Sequence, residues 1–367
     1  MTVPFVSFNE TNKVVKKEIL LAFEEFFDKA WYVLGDGVRS FEEAYAKYNN
    51  VLWCVGVSNG LDALHIALKT LDIGKGDEVI VPSNTYIASA LAVSYVGATP
   101  VFVEPNINTY NIDASKIEQA ITKKTKAIMP VHLYGQACDM KAIMNIAEKH
   151  GLFVVEDNAQ SQGAEWNKKF TGSWGHINGT SFYPGKNLGA YGDAGAVTTN
   201  DEELKNKAIV LRNYGSVKKY YNEVIGFNMR LDECQANFLS IKLRYLNEWT
   251  RQRQEIAEWY NSTLKNVGDL ILPYVHANAT HVYHLYVIRT QNRDALQQHL
   301  SQLGIGSLIH YPIPPYLQKA YAYLGYKNGD YPLADEIANT CISIPLWPGM
   351  RSADVEIVSK GIEGFFK

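Results

Sequence analysis

Asp157 and Lys186 stand 29 positions apart, and each ends a strand-like run. In Gly151-Leu152-Phe153-Val154-Val155-Glu156-Asp157, four apolar residues carry an acid to the end of a buried-looking strand, and a buried acid needs a cation. In Thr180-Ser181-Phe182-Tyr183-Pro184-Gly185-Lys186-Asn187-Leu188-Gly189, a lysine sits on a Gly/Pro-rich turn after a second strand, where its amine can reach a pocket. A lysine that forms a Schiff base with an aldehyde, and a carboxylate that keeps a pyridine nitrogen protonated, are the two protein groups that pyridoxal phosphate chemistry asks for. Either residue alone would ordinarily be a surface charge or a turn, so the pairing carries the reading. A nucleoside triphosphate loop does not fit. Five residues separate Gly179 from Gly185, one too many, and Asn187 stands where that loop needs a hydroxyl for magnesium.

A third part lies upstream. Leu52 to Val57 reads as a strand running into Ser58-Asn59-Gly60 and then into the amphipathic stretch Leu61 to Leu71. A strand, a small polar turn and a helix start form an anion site, because the free N–H groups and the positive end of the helix dipole face the same point. Alone, a Ser or Asn before a helix is only a cap; beside a lysine and an acid it completes a phosphate-bearing cofactor site.

The elements that must position these groups alternate along the first two-thirds of the chain. Strand-like runs at 52–57, 78–81, 99–103, 127–131, 152–156 and 179–183 are separated by helical stretches such as 85–96 and 140–149. Their near-continuous apolar character predicts an α/β domain with a mostly parallel sheet covered on both faces. Ligands of such sheets sit at the carboxyl ends of the strands, where Asn59, Asp157 and Lys186 all fall. From Met229 to about Lys265 the pattern is helical, as one long helix or two. Beyond it, Tyr283 to Ile288 reads as a strand and 293–303 and 332–340 as helices, which predicts a smaller α+β domain. The division is placed at 1–247 and 248–367.

The chain resembles the sugar aminotransferases of the DegT/DnrJ/EryC1/StrS group. The resemblance runs through Trp31-Tyr32-Val33-Leu34-Gly35, Phe41-Glu42, Ser58-Asn59-Gly60-Leu61-Asp62-Ala63-Leu64, Val81-Pro82-Ser83-Asn84-Thr85-Tyr86, Val131-His132-Leu133-Tyr134-Gly135, the Asp157 and Lys186 segments, and Gly226-Phe227-Asn228-Met229-Arg230-Leu231-Asp232. It implies the fold-type I architecture of pyridoxal phosphate enzymes, like that of aspartate aminotransferase. It implies that Lys186 is the Schiff-base lysine, that Asp157 pairs with the pyridinium nitrogen, and that Gln160 bonds the cofactor's phenolic oxygen. Tyr86 then stacks on the ring face, Asn59, Gly60 and Ser181 cradle the phosphate, and Asn228 reaches the phosphate of a neighbouring subunit, which implies a homodimer with shared active sites. Dehydrating members have histidine at the lysine position, so Lys186 favours amination. Asn59 stands where many relatives have glycine or threonine, which leaves the backbone of that turn as its main contribution.

Composition sets limits. At 367 residues and 47% hydrophobic content, the chain can bury a large core. A net charge of −3 gives no basis for nucleic-acid or anionic-membrane partners, and no run approaches a membrane span. Cys54, Cys138, Cys234 and Cys341 are widely spaced, without metal-ligand or redox spacing, and read as reduced thiols. The N-terminus shows no secretory pattern, and the expected compartment is the cytoplasm. The nine histidines form no HxxxH-type pair, so no metal is expected. His132 reads as a core residue, and His281 and His284 as opposite faces of a strand.

His310-Tyr311-Pro312 is different. It leads into Pro314-Pro315-Tyr316, and a rigid proline-rich loop presenting an imidazole and a phenol suits a sugar's hydroxyls or a diphosphate. Tyr183, three residues before Lys186, and this loop are the candidate substrate-binding residues. Within the family, the His-Tyr-Pro form resembles enzymes that aminate C-3 of thymidine-diphosphate-linked 3-keto-6-deoxy sugars, with L-glutamate as donor. Amination at C-4 of a 4-keto-6-deoxyhexose stays open as an alternative, as does a non-catalytic pyridoxal-phosphate-binding regulator.

Overall fold

The computed structural model describes residues 3–367. Two helices, α1 (Asn9–Lys29) and α2 (Asp36–Tyr48), precede the first strand. Strands and helices then alternate: β1 (Trp53–Val57), α3 (Gly60–Thr70), β2 (Glu78–Pro82), α4 (Ile87–Tyr95), β3 (Thr99–Val103), β4 (Thr125–Ile128), α5 (Met140–His150) and β5 (Phe153–Val154). A small hairpin, β6 (Glu165–Trp166) and β7 (Lys169–Phe170), leads to β8 (Ile177–Ser181), β9 (Gly195–Thr199) and α6 (Glu202–Arg212). A second hairpin, β10 (Ser216–Lys218) and β11 (Tyr221–Asn222), is followed by α7 (Glu233–Leu243) and α8 (Leu246–Thr263), so the long helical stretch is two helices. The chain closes with β12 (Tyr286–Arg289), α9 (Arg293–Gln302), α10 (Pro332–Thr340), β13 (Cys341–Ile344) and α11 (Ser352–Phe365).

The four-stranded parallel sheet β3-β2-β4-β5 and the three-stranded sheet β1-β9-β8 form one continuous surface. Asp157 joins them: it makes parallel bridges to Val131 on one side and Gly179 on the other. Only β9 runs antiparallel, because it returns directly from β8 through the loop that carries Lys186. β9 gives no apolar strand signal in the sequence. Its Gly195-Ala196-Val197-Thr198-Thr199 has one large apolar side chain, yet all five residues are buried, so what packs there is backbone against helix rather than a hydrophobic run. The apolar core between this sheet and helices α3, α4 and α6 is built on Val55, Val57, Leu64, Leu68, Val79, Val81 and Val197.

A second core gathers residues of α8, β12, α9, β13 and α11, including Ile256, Tyr260, Tyr286, Leu296, Ile342 and Val358, and Val3 pairs beside it with Ile305. The strand expected from Tyr283 begins only at Tyr286. The preceding residues bond elsewhere, with Val282 N donating to Gly135 O at 2.9 Å and Leu285 N to Tyr134 O at 3.2 Å, so the alternation of faces expected for His281 and His284 does not apply. Cys54, Cys138, Cys234 and Cys341 are all unpaired. Among the described residues, no helix is long and apolar enough to cross a membrane.

Candidate active site

Strand register brings the site together. Gly195 pairs with Val57 on one side and with Ser181 on the other, so the ends of β1 and β8 open at the same level. Gly195 admits no side chain, since a Cβ there would lie 2.3 Å from Asn59 O. At Gly60 an added Cβ would lie 2.5 Å from Ser181 Cβ. The helix start of α3 and the end of β8 are therefore in backbone-level contact, and the two cradle residues expected from sequence, Gly60 and Ser181, meet. Asn59 caps α3, with Oδ1 accepting from Asp62 N at 2.9 Å, and its Nδ2 donates to Asp62 Oδ2 at 2.8 Å. Its side chain is thus committed to its own helix, and what the turn offers an anion is the backbone N–H of Gly60 and Leu61 together with the helix dipole.

Asp157 is buried beside β8, three residues beyond β5, where it bridges Gly179. Its Oδ2 accepts from Ser89 Oγ at 2.8 Å and its Oδ1 from Ala159 N at 3.1 Å. No Lys, Arg or His among the described residues forms an ion pair with it at contact distance. Burial pushes its pKa above the usual carboxylate range, against the pull of Ser89, Ala159 N, Lys186 and His132. Gln160 is fixed at both ends of its amide: Oε1 accepts from Tyr134 N at 2.7 Å, and Nε2 donates to Tyr311 OH at 3.0 Å. The Tyr311 ring in turn lies 5.1 Å from that of Tyr86. Gln160, Tyr311 and Tyr86 therefore stand side by side, with Asp157 three positions before Gln160 in the chain.

Lys186 sits at the apex of a tight turn, its N–H donating to Tyr183 O at 2.8 Å. The turn needs glycine at 189, where a Cβ would lie 2.3 Å from Pro184 O. Lys186 is half-buried and makes no ion pair at contact distance with any described carboxylate. Burial lowers its pKa to about 8 even though Asp157 pulls the other way. An amine in that range is a usable base and nucleophile near neutral pH. Burial, aided by the Lys186 charge, pushes the pKa of His310 down to about 4 and that of His284 well below the usual imidazole range. His310 is held by Nδ1 to Ser343 Oγ at 2.8 Å, and its carbonyl accepts from the Tyr134 hydroxyl. Tyr183 projects outward, 58% exposed, beside the lysine. Asn228 stands apart: it is exposed and bridges Asn213.

Several residues that hold this arrangement escaped the sequence reading. Ser89, Tyr134, Gln162 (Nε2 to Ser181 O, 2.6 Å) and Asn187 (Nδ2 to Val282 O, 3.0 Å) act across the fold, where no local signal exists. His132 is fully buried, with Nε2 2.8 Å from Glu156 Oε2 and Nδ1 accepting from Cys138 N at 3.0 Å. That links it to the acid immediately before Asp157.

These groups fit pyridoxal phosphate. A buried carboxylate without a contacting cation suits a protonated ring nitrogen, a half-buried amine without a carboxylate contact suits an aldehyde, and a side-chain-free cradle at a helix start suits a phosphate. A sheet of this order with an acid and a lysine at its strand ends defines a fold-type I transferase. The sequence matches the DegT/DnrJ/EryC1/StrS aminotransferase family over residues 13–363, and the chain belongs to that family; it is a pyridoxal-phosphate-dependent aminotransferase. It is 51% identical over 99% of both chains to a protein of Aneurinibacillus thermoaerophilus named dTDP-3-amino-3,6-dideoxy-alpha-D-galactopyranose transaminase. A Geobacillus stearothermophilus protein named pleiotropic regulatory protein is 44% identical, over 100% of this chain and 99% of its own. Among solved structures, S. venezuelae DesV in complex with a ketimine intermediate superposes with a TM-score of 0.98 at 42% identity, covering 100% of this chain and 98% of that one.

Proposed function

We propose that this enzyme moves the amino group of L-glutamate to C-3 of a thymidine-diphosphate-linked 3-keto-6-deoxyhexose, leaving 2-oxoglutarate. The observation that carries the reading is the placement of buried Asp157 and half-buried Lys186 beyond neighbouring strand ends, each without a contacting partner of opposite charge among the described residues. The sugar and the carbon aminated come from the likeness to the Aneurinibacillus transaminase. Bound pyridoxal phosphate supplies an aldehyde carbon that takes up and gives back the amino group, and a ring that accepts the electron pair left when the donor loses its α proton.

This chain's own residues do the rest. Asp157 holds the proton on the ring nitrogen, Gln160 orients the phenolic oxygen, and Tyr86 bounds the ring face. Asn59 and Gly60, through the start of α3, and Ser181 hold the phosphate. Lys186 Nζ binds the aldehyde carbon between turnovers and moves the proton taken from the donor's α carbon. Tyr183, His310 and Tyr311 supply hydrogen bonds to the sugar nucleotide. Asn228 completes the phosphate site of a second copy in a homodimer. Support for a second copy comes from the face of α1 that carries Leu20, Leu21, Phe23 and Phe27, continued by Trp31 and Tyr32: all six are exposed and apolar or aromatic.

The test is to offer thymidine-, uridine- and guanosine-diphosphate keto-sugars with ¹⁵N-glutamate and to locate the label by NMR. Nitrogen on C-3 of the thymidine-linked 3-keto sugar is expected. Label on C-4, or label only with another nucleotide, would overturn the assignment.

A further inference from the structure

The chain from His281 to Leu285 is stitched to both halves of the site. Bonds from Val282 N to Gly135 O (2.9 Å) and from Leu285 N to Tyr134 O (3.2 Å) fix it against the residue whose N–H binds Gln160. Asn187, the residue after Lys186, donates Nδ2 to Val282 O at 3.0 Å and so ties it to the lysine turn. His284 lies between these anchored positions with no slack, since a Cβ at Gly135 would come within 2.9 Å of His284 N. Arg253, buried and without a carboxylate contact among the described residues, grips the same segment by donating Nη1 to Tyr283 O at 3.2 Å and to His284 O at 3.5 Å.

His284 Nδ1 is fully buried and has no hydrogen-bond partner, which is a cost unless a partner arrives during turnover. Burial first, and then the charges of Lys186 and Arg253, hold the imidazole well below its usual pKa. A neutral imidazole has a lone pair to offer an N–H donor. We propose that His284 is a positioning residue of this site, its imidazole accepting a hydrogen bond from the Lys186 amine whenever that amine is free, so that the amine keeps one place while it carries a proton. The inference rests on the role given to Lys186 above. Asn187 serves the same end by fixing the register between the lysine turn and the histidine.

The holoenzyme is mixed with glutamate alone, and the single-turnover rate is followed by the cofactor's absorbance as a function of glutamate concentration. His284→Leu removes the acceptor, whereas His284→Asn returns an amide oxygen near the place of Nδ1. The Leu variant should react about 10- to 100-fold more slowly with little change in glutamate affinity, and the Asn variant should recover most of that loss. A Leu variant as fast as the parent, or equal losses in both variants, would overturn the proposal. Should His284→Leu fail to fold, His284→Phe, which keeps a ring without an acceptor, is read in its place. If borohydride reduction and peptide mass spectrometry find no cofactor on Lys186 of the parent protein, it is the underlying assignment that fails, not the role of His284.

Discussion

Ser89 Oγ donates to Asp157 Oδ2 at 2.8 Å and lies 2.9 Å from Thr85 Oγ1, so the first turn of α4 reaches back to the acid at the centre of the sheet. This bond favours the carboxylate, against burial, which favours the neutral acid. Ser89→Ala should therefore raise the Asp157 pKa further and move the acid limb of cofactor retention to higher pH, at a cost of about 1–3 kcal/mol in holding the charged form. Asp157→Asn should keep some cofactor yet slow the glutamate half-reaction about 100-fold or more, since the charge matters most where electrons gather. Cofactor fluorescence against pH and stopped-flow absorbance measure the two effects. An unshifted limb in Ser89→Ala would remove the serine from this role.

Lys186 makes a prediction about stability as well as catalysis. Its folded pKa is about 8, below the ordinary 10.5, so between those values the unfolded chain binds more protons than the folded one. The cofactor-free protein should gain stability as pH rises through that window, while below it both states are protonated and the penalty is constant. Lys186→Met should then raise the melting temperature of cofactor-free protein at pH 7, by about 1–2 kcal/mol of stability, with the difference narrowing toward pH 10.5. The same variant should lose borohydride-fixed cofactor and all turnover. Calorimetry at three pH values shows whether the sign is right.

Tyr183, His310 and Tyr311 should matter chiefly to one half of the reaction. In Tyr183→Phe and His310→Ala the step with glutamate should stay near the parent rate, and in Tyr311→Phe, which disturbs Gln160, it should slow less than the sugar step. The step with the keto-sugar should lose about 1–3 kcal/mol for each buried hydrogen bond left unpaired. Tyr311→Phe also frees Gln160 Nε2 and should be the costliest of the three. Slowing of the glutamate step alone would move these residues to the donor's site.

Asn228→Ala should weaken cofactor retention without touching any contact around Lys186 in its own chain, because Asn228 is exposed and bridges Asn213. Mixed dimers of Asn228→Ala with Lys186→Ala should regain one working site of the two. Sedimentation of a fully active monomer at assay concentration would exclude the shared site.

The acid, the lysine and the glycine turn were legible because each announces itself locally: Asp157 and Lys186 by a strand that ends in a charge, and Gly60 by a small turn before an amphipathic helix. The groups that tune them were not. Ser89 meets Asp157 across 68 positions of sequence, and Tyr134, Asn187 and His284 come together only when the segment before β12 turns away from its own sheet. β9 was missed for a related reason: its Gly, Ala and Thr side chains carry no apolar signal, and its burial is decided by the helices that cover it.

The contact between Gly60 and Ser181 divides the site into a part that cannot change and a part that can. Any side chain at position 60 must displace the end of β8, and with it the proposed phosphate cradle, so that half of the site tolerates no redesign there. Tyr183, by contrast, projects from the lysine turn with more than half its surface open, whereas the His310–Tyr311 loop is tied down by the Tyr134 hydroxyl on His310 O and by Gln160 Nε2 on the Tyr311 hydroxyl. On the proposed assignment, an engineer who wants a different sugar product would rewrite Tyr183 first and keep the Tyr311 hydroxyl that holds Gln160.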